Sequence, residues 1–196
     1  MPPALVLLRL VPVLTTTSSL TMTFCEDLFL RPNTEHNQAG RNHVNRVLPS
    51  YIARFFPRGF AYILIIYPAS WASAIANLAV RTPSMHPYAH DPSSPNLAAA
   101  RAAWGLYAAG LVFSLAHFAW GPKARDLMNS IARSQPSTDP DPDPDPNAKG
   151  GGENAAADQI PTLEAWLKLN TVRGLLVDVP AWACFLVGFL ISVGYS

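Results

Sequence analysis

The sequence predicts an all-α protein, a four-transmembrane-helix bundle, on three observations. It contains apolar runs of about 20 residues, the length that crosses a bilayer core of roughly 30 Å. Only 14% of its residues are charged, against about 25% in soluble domains. Its Lys and Arg residues are unevenly divided between the segments that join the apolar runs. We therefore expect residues 1–196 to form a single membrane domain.

Three of the predicted spans are plain apolar runs, at about residues 59–80, 102–121 and 174–195. The first, at about 3–24, has a second interpretation as a cleaved signal peptide. Because Arg9 interrupts its apolar region, no basic segment precedes it and no small-x-small site is clear, we expect it to be retained. Its hydroxyl-rich run TTTSSLTMT (15–23) is typical of a helix that packs against other helices.

Four spans put both termini on one side of the membrane and the two long connecting segments, 25–58 and 122–173, on the other. Eleven of the 14 Lys and Arg residues fall in these two segments. The positive-inside rule therefore predicts that the long segments are cytoplasmic and both termini lumenal. No organellar targeting segment is visible, so we expect the endoplasmic reticulum membrane, with the lipid bilayer as partner. The net charge of +1, without a dense basic run, argues against nucleic acid as a partner.

Three pieces of the connecting segments have distinct patterns. Residues 135–158 contain four Asp-Pro repeats and a Gly triplet, which predicts a disordered linker. Residues 44–56 place apolar side chains at helical spacing, which predicts an amphipathic helix on the membrane interface; a lid over a cavity is the alternative. Residues 162–174 predict a helix that starts near Pro161 and Thr162 and continues into the fourth span.

An ionisable side chain stands near the start of the fourth span. A charge inside a span costs roughly 3 kcal/mol or more, so Asp178 needs a partner in the bundle. His117 and Arg173 approach from the same side, and Pro180 predicts a kink because it frees the carbonyl of Leu176. The alternatives are Asp178 at headgroup depth, Arg173 as an interfacial cation and His117 as a structural residue.

The sequence has no recognisable metal or cofactor motif. Two cysteines are too few for a disulfide framework. The histidines have no metal-ligand spacing with cysteines or carboxylates, so we expect no metal. G-x-S-x-G, H-E-x-x-H and Gly-rich phosphate loops are absent from the sequence.

Two segments resemble the small four-helix membrane proteins of the anthrone-oxygenase-like family. They are 117-HFAWGPKARDLMNSI-131, where the third span exits into a Pro and a short helix, and 166-WLKLNTVRGLLV-177. In the second, Trp166, Asn170 and Arg173 match the family's spacing, whereas the Asp-Pro linker and Asp178 depart from its pattern. The resemblance implies oxidation of an aromatic polyketide anthrone to an anthraquinone in secondary metabolism, with O2 as co-substrate.

Such a reaction needs a base for the acidic carbon, a cation for the oxyanion and flat apolar walls. Our hypothesis assigns the base to His117 oriented by Asp178, the oxyanion to Arg173 and Asn170, and the walls to Trp120 and Trp166. The tryptophans have a second interpretation as membrane-interface or packing residues. A competing hypothesis is a non-catalytic scaffold that anchors other enzymes of the pathway. A transporter is disfavoured because four spans without repeats are few for alternating access.

Overall fold

The computed structural model describes residues 2–35, 38–80, 95–134 and 158–194, which are helical apart from short turns. The helices are α1 (Pro3–Leu30), α2 (Gln38–Ala79), α3 (Pro95–Ala116), α4 (Gly121–Arg133), α5 (Ile160–Arg173) and α6 (Val179–Gly194). A 3-10 turn, Arg31–Thr34, follows α1, and another, His117–Trp120, joins α3 to α4. A π-helical turn, Gly174–Asp178, joins α5 to α6. The all-α prediction is confirmed for the described residues.

In the described part of the chain, four helical segments are long and apolar enough to cross a membrane: Pro3–Thr34, Gly40–Ala79, Leu97–Arg133 and Ile160–Gly194. Each segment contains one predicted span, to within a residue at the ends of that span, and is longer than the span. Large apolar side chains are exposed on their outer surfaces, among them Leu64, Ile65, Val112, Leu115, Leu175 and Leu190. An apolar exterior of this kind suits contact with lipid.

Hydrogen bonds between distant residues fix the up-and-down order of the helices. Arg9 Nη1 donates to the Ser192 carbonyl at 3.1 Å, and Asn77 Nδ2 donates to the Leu8 carbonyl at 3.0 Å. The start of α1, the end of α2 and the end of α6 therefore meet at one end of the bundle. The described parts of the two long connecting segments, 25–35, 38–58, 122–134 and 158–173, lie at the other end, as the four-span topology requires. Which end faces the cytoplasm stays a prediction.

The hydroxyl-rich run of α1 bonds to neighbouring helices, which confirms its predicted role in packing. Ser19 Oγ lies 2.9 Å from Tyr67 Oη on α2, and Trp182 Nε1 on α6 donates to Thr17 Oγ1 at 2.9 Å. Such bonds between helices compensate polar groups in an apolar environment. They fix the rotation of α1, in which Thr16 and Ser19 are buried in the bundle.

Helices α3 and α6 pack closely because glycines stand at their contact. A Cβ added at Gly110 would lie 2.8 Å from the Phe185 ring, and one at Gly188 would lie 3.3 Å from Tyr107. Phe185 and Tyr107 are both buried. Small residues at a helix contact let the backbones approach, as membrane bundles require.

Residues 44–56 are not a separate helix on the membrane interface, and that prediction is wrong. They belong to α2, a continuous helix of 42 residues, which at 1.5 Å per residue is about 63 Å long. That length is about twice the bilayer core. The apolar side chains Val44, Leu48 and Ile52 of α2 are buried against α4 and α5. They belong to the loop-end core, which consists of Leu30, Val44, Leu48, Ile52, Met128, Ile131, Ile160, Leu163, Trp166 and Leu167.

Residues 135–157 of the predicted linker lie outside the described residues. Its last residue, Asp158, is described and is held against α2. Asp158 Oδ1 accepts hydrogen bonds from Asn45 Nδ2 at 3.1 Å and from the Ile160 N–H at 3.2 Å. The carboxylate thus caps the start of α5, which begins at Ile160, one residue before the predicted Pro161.

Candidate functional site

Asp178 is the last residue of the π-helical turn. The Val179 N–H bonds to the Gly174 carbonyl five residues earlier, so the helix is locally widened. Pro180 has no N–H for the Leu176 carbonyl, which gives the widening a cause in the sequence. The carboxylate is buried, with 4% of its residue surface exposed. The predicted distortion beside Asp178 is therefore present as a π turn.

Three side chains from three different helical segments surround this carboxylate. His117 Nδ1 lies 2.8 Å from Asp178 Oδ1, and Tyr67 Oη donates to the same oxygen at 3.1 Å. Arg173 Nε lies 3.4 Å from Oδ2. Both partners that the sequence offered for Asp178 lie against it at once. We call Tyr67, His117, Arg173 and Asp178 the polar centre.

Tyr67 is the member that the sequence analysis missed. Its hydroxyl bonds to Ser19, to His117 and to Asp178, and the residue is 3% exposed. Its ring lies over the imidazole, with ring centroids 4.2 Å apart. A tyrosine within the apolar run ILIIYP is usually a packing residue, and only its buried hydroxyl signals a need for partners.

Asn170 and Thr23 hold the guanidinium of Arg173 from behind. Arg173 Nη2 donates to Asn170 Oδ1 and, at 3.2 Å, to Thr23 Oγ1. Asn170 Nδ2 in turn approaches the Thr23 carbonyl at 3.4 Å, and Asn170 is 1% exposed. The structure therefore places Asn170 behind Arg173, whereas the hypothesis placed it at an oxyanion.

A cavity of about 90 Å³ lies between α2, α4 and α5, against the polar centre. That space holds several water-sized groups. Its polar lining residues are Glu26, His117, Arg125 and Arg173, and the others are Phe55, Phe56, Gly59, Phe60, Ile63, Phe118, Gly121, Ala124 and Trp166. His117 and Arg173 thus have one side on Asp178 and another on an apolar, aromatic space.

The two tryptophans predicted as walls differ in position. Trp166 lines the cavity and is buried. Trp120 is not a lining residue and is half-buried in the 3-10 turn. Phe118 takes that place because it packs against α2, with its ring centroid 5.5 Å from that of Tyr67 and 5.1 Å from that of Trp71.

The hydrogen bonds define what the imidazole of His117 can do. A carboxylate only accepts hydrogen bonds, so Nδ1 carries the hydrogen when it bonds to Asp178. Nε2 then has a free lone pair, and His117 lines the cavity. The geometry therefore offers a neutral base with a carboxylate behind it and a guanidinium beside it. Among the described residues, no group of three or more His, Cys, Asp or Glu side chains is placed to hold a metal ion.

Several known proteins are similar to this chain over nearly its whole length. It is 27% identical over 184 residues to the epoxidase pydX of Acremonium sp., covering 94% of this chain and 93% of that protein. It is 29% identical over 184 residues to the probable epoxidase scpX of Mollisia scopiformis, with 94% of each covered. It is 27% identical over 182 residues to the epoxidase gkaX of Penicillium citrinum, covering 92% and 91%. No family model and no solved structure matches the chain. The chain is thus similar over most of its length to proteins named epoxidases.

Proposed function

We propose that the protein is an integral membrane oxygenase of secondary metabolism that uses O2 to oxidise an apolar, conjugated small molecule. The observation that carries the proposal is the buried His117–Asp178 pair, 2.8 Å apart, at the wall of an aromatic-lined cavity with Arg173 beside it. The relatives named epoxidases support an oxidative role. The endoplasmic reticulum membrane, with the long connecting segments in the cytoplasm, remains the proposed location.

The first step is removal of a proton from the substrate by Nε2 of His117. Asp178 accepts the Nδ1 hydrogen, so it orients the ring and stabilises the imidazolium that forms. Tyr67 donates to the same carboxylate oxygen and fixes its position. Asp178 and Tyr67 are positioning residues, and His117 is the catalytic base.

The second step uses the cation of Arg173. Loss of a proton gives an oxyanion conjugated with a double bond, and Arg173 at the cavity wall stabilises that charge. The guanidinium is held in place by Asn170 and Thr23. The resulting electron-rich anion is oxidised by O2, and a C–O bond forms to give a substrate hydroperoxide. The substrate itself supplies the electrons.

Two substrate classes satisfy the balance of atoms and electrons in this reaction. A hydroquinone and O2 give a quinone epoxide and water, because the neighbouring enolate carbon attacks the inner oxygen of the hydroperoxide, the O–O bond breaks and the outer oxygen leaves as water. An anthrone and O2 give an anthraquinone and water, because the hydroperoxide loses water. The names of the relatives favour the epoxidation, and the resemblance to the anthrone-oxygenase-like family favours the second reaction. Both need the same base and cation.

The lining of the cavity also suits an apolar, conjugated substrate. Phe60 is exposed at the bundle surface, and Gly59 and Gly121 stand at predicted ends of spans. A molecule dissolved in the bilayer would therefore reach the cavity from the membrane interface. Its flat rings would lie against Phe118 and Trp166, since aromatic side chains stack on conjugated rings.

The test uses microsomes from yeast that express the full chain. They are incubated under ¹⁸O2 with an alkyl naphthohydroquinone and, separately, with an anthrone, and the products are measured by mass spectrometry. We expect labelled epoxide or labelled anthraquinone above the level of vector-only microsomes. We also expect Arg173→Lys to reduce turnover by about 100-fold, as loss of an electrostatic stabiliser does, while the exposed Arg58→Lys has no effect.

The scaffold hypothesis gives the opposite result. Absence of labelled product from both substrates, with the protein folded and present in the membranes, contradicts the oxygenase proposal. Equal turnover by the Arg173→Lys and Arg58→Lys variants would place the chemistry elsewhere in the chain.

A further inference from the structure

We propose that Glu26 is a second catalytic residue, a cavity-facing carboxyl group that gives a proton to the oxygen leaving as water. The proposal rests on the proposed oxygenase function and deepens it. It assigns a role to a carboxyl side chain that the base-and-cation scheme does not use. Glu26 lies on α1, four residues before the end of the helix, and lines the cavity together with His117, Arg173 and Trp166.

The carboxyl groups of Glu26 and Asp178 have different surroundings: Asp178 is buried, and Glu26 is half-buried. Asp178 is enclosed by Tyr67, His117 and Arg173 and is not a lining residue of the cavity. It can therefore orient His117 but cannot meet a substrate. Glu26 reaches the cavity from α1 and is its acidic lining residue. Of these two carboxyl groups, only Glu26 is in a position to exchange a proton with a molecule in the cavity.

The neighbouring acid, Asp27, has a different partner. It forms an ion pair with Arg31 one turn later, on the surface of α1. Successive helix residues point about 100° apart, so Glu26 turns inward where Asp27 turns outward. The two side chains have nearly the same chemistry and backbone position, which makes Asp27 a matched control.

The proton balance of the reaction creates the need for such a group. His117 accepts one proton from the substrate, and cleavage of the O–O bond leaves an oxygen that must be protonated to depart as water. The Glu26 hydroxyl donates that proton, and its carboxylate regains one from the His117 imidazolium, so the enzyme returns to its starting state. Asn170 and Arg173 lie within electrostatic reach of Glu26 and stabilise the transient carboxylate.

The same location allows exchange with water. Phe60, Gly121 and Arg125 line the cavity and are exposed. Glu26 itself stands only one turn before the 3-10 turn that ends this helical segment. A carboxylate at the boundary between an apolar cavity and the aqueous end of the bundle can regain its proton from water between turnovers.

The first arm of the experiment does not depend on turnover. The full chain in lipid nanodiscs is treated with dicyclohexylcarbodiimide, an apolar reagent that adds to protonated carboxyl groups in apolar surroundings, and the adducts are mapped by mass spectrometry. We expect an adduct on Glu26 and none on Asp27 or Asp178. An excess of alkyl naphthohydroquinone should reduce the labelling, since both occupy the cavity.

The second arm measures kcat and KM under ¹⁸O2 for Glu26→Gln, Glu26→Asp and Asp27→Asn. We expect a roughly 100-fold fall in kcat for Glu26→Gln, the usual effect of losing a general acid, with KM within about threefold. Glu26→Asp should recover part of the loss, and Asp27→Asn should match the wild type. Size-exclusion profiles check that the variants fold.

Two results overturn the proposal: no adduct on Glu26, or a Glu26→Gln variant whose kcat stays within about twofold of the wild type. If the wild type makes no product, the oxygenase function fails, and the labelling arm alone decides whether Glu26 is the proton-carrying carboxyl of the cavity.

Discussion

Two regions of the bundle interior, the loop-end core and the polar centre, differ in chemistry because their surroundings differ. The loop-end core consists of apolar residues such as Ile52, Leu163 and Met128, all fully buried. The polar centre, farther along the same helices, buries a carboxylate, a guanidinium, an imidazole and a phenol together. Trp166 belongs to the loop-end core and also lines the cavity that borders the polar centre.

The two regions hold the helices together in different ways. Where α2 runs beyond the predicted span, water is the alternative environment, so burial of apolar side chains stabilises the fold. Inside the predicted spans lipid is as apolar as leucine, and close packing and polar contacts between helices take that role. Substitutions in the two regions should therefore differ both in energy and in their effect on turnover.

The largest expected effect comes from Asp178→Asn. It leaves the buried Arg173 without its counter-charge, which costs about 3–5 kcal/mol, and it removes the group that orients His117. Thermal unfolding in a mild detergent should show the loss of stability, and turnover should fall by about 100-fold or more. Asp27→Asn, which breaks an exposed pair, should cost less than about 1 kcal/mol. Equal stability of the two variants would mean that the polar centre does not hold the bundle together.

The next effect is on stability alone. Leu163→Ala in the loop-end core removes a fully buried side chain and should cost about 2–5 kcal/mol. Turnover per folded molecule should be unchanged, because Leu163 does not line the cavity. Val47→Ala, on an exposed face of α2, is the control and should stay within about 0.5 kcal/mol. A loss of turnover in folded Leu163→Ala would show that the two regions are coupled.

Tyr67→Phe should have a smaller effect on stability and a clear one on turnover. It removes the hydroxyl that joins Ser19, His117 and Asp178, leaving buried partners unsatisfied at a cost of about 1–3 kcal/mol. Turnover should fall because Asp178 is less firmly placed. Tyr51→Phe, at an exposed tyrosine on the same helix, should match the wild type. Unchanged turnover in Tyr67→Phe would reduce Tyr67 to a packing residue.

The smallest expected effect comes from the contact of α3 with α6. Gly110→Ala places a methyl group 2.8 Å from Phe185 and should destabilise the protein by about 1–3 kcal/mol through overpacking. Gly105→Ala, on the same helix with nothing within 4 Å of its added carbon, should be neutral or stabilising, since alanine favours helix. Both are measured by thermal unfolding in detergent. If Gly105→Ala is the more harmful, the proposed close packing of α3 on α6 is wrong.

The positions of the long helices were predictable from the sequence because apolar length is a local property. The four predicted spans coincide, to within a residue at their ends, with parts of the four long helical segments in the described residues. Which surface covers residues 44–56 was not predictable. Their apolar spacing is the same for a helix on a membrane as for one under α4 and α5, and only the folded chain distinguishes the two.

The site was predictable where a charge in an apolar run demanded a partner. Asp178 pointed to His117 and Arg173, and Pro180 pointed to a distortion of the helix. Tyr67 was missed because a tyrosine in an apolar run is usually a packing residue. The role of Tyr67 depends on the direction of its hydroxyl. The exchange of Trp120 for Phe118 at the cavity depends in the same way on side-chain direction.

The most direct test of whether His117 is the catalytic base compares two histidine variants. His117→Gln removes the base that borders the cavity, and His43→Gln alters an exposed histidine of α2. Microsomes with equal amounts of each folded variant are supplied with the hydroquinone and the anthrone under ¹⁸O2, and labelled product is counted. We expect wild-type product from His43→Gln and a loss of about 100-fold or more from His117→Gln. Full turnover by His117→Gln would contradict it.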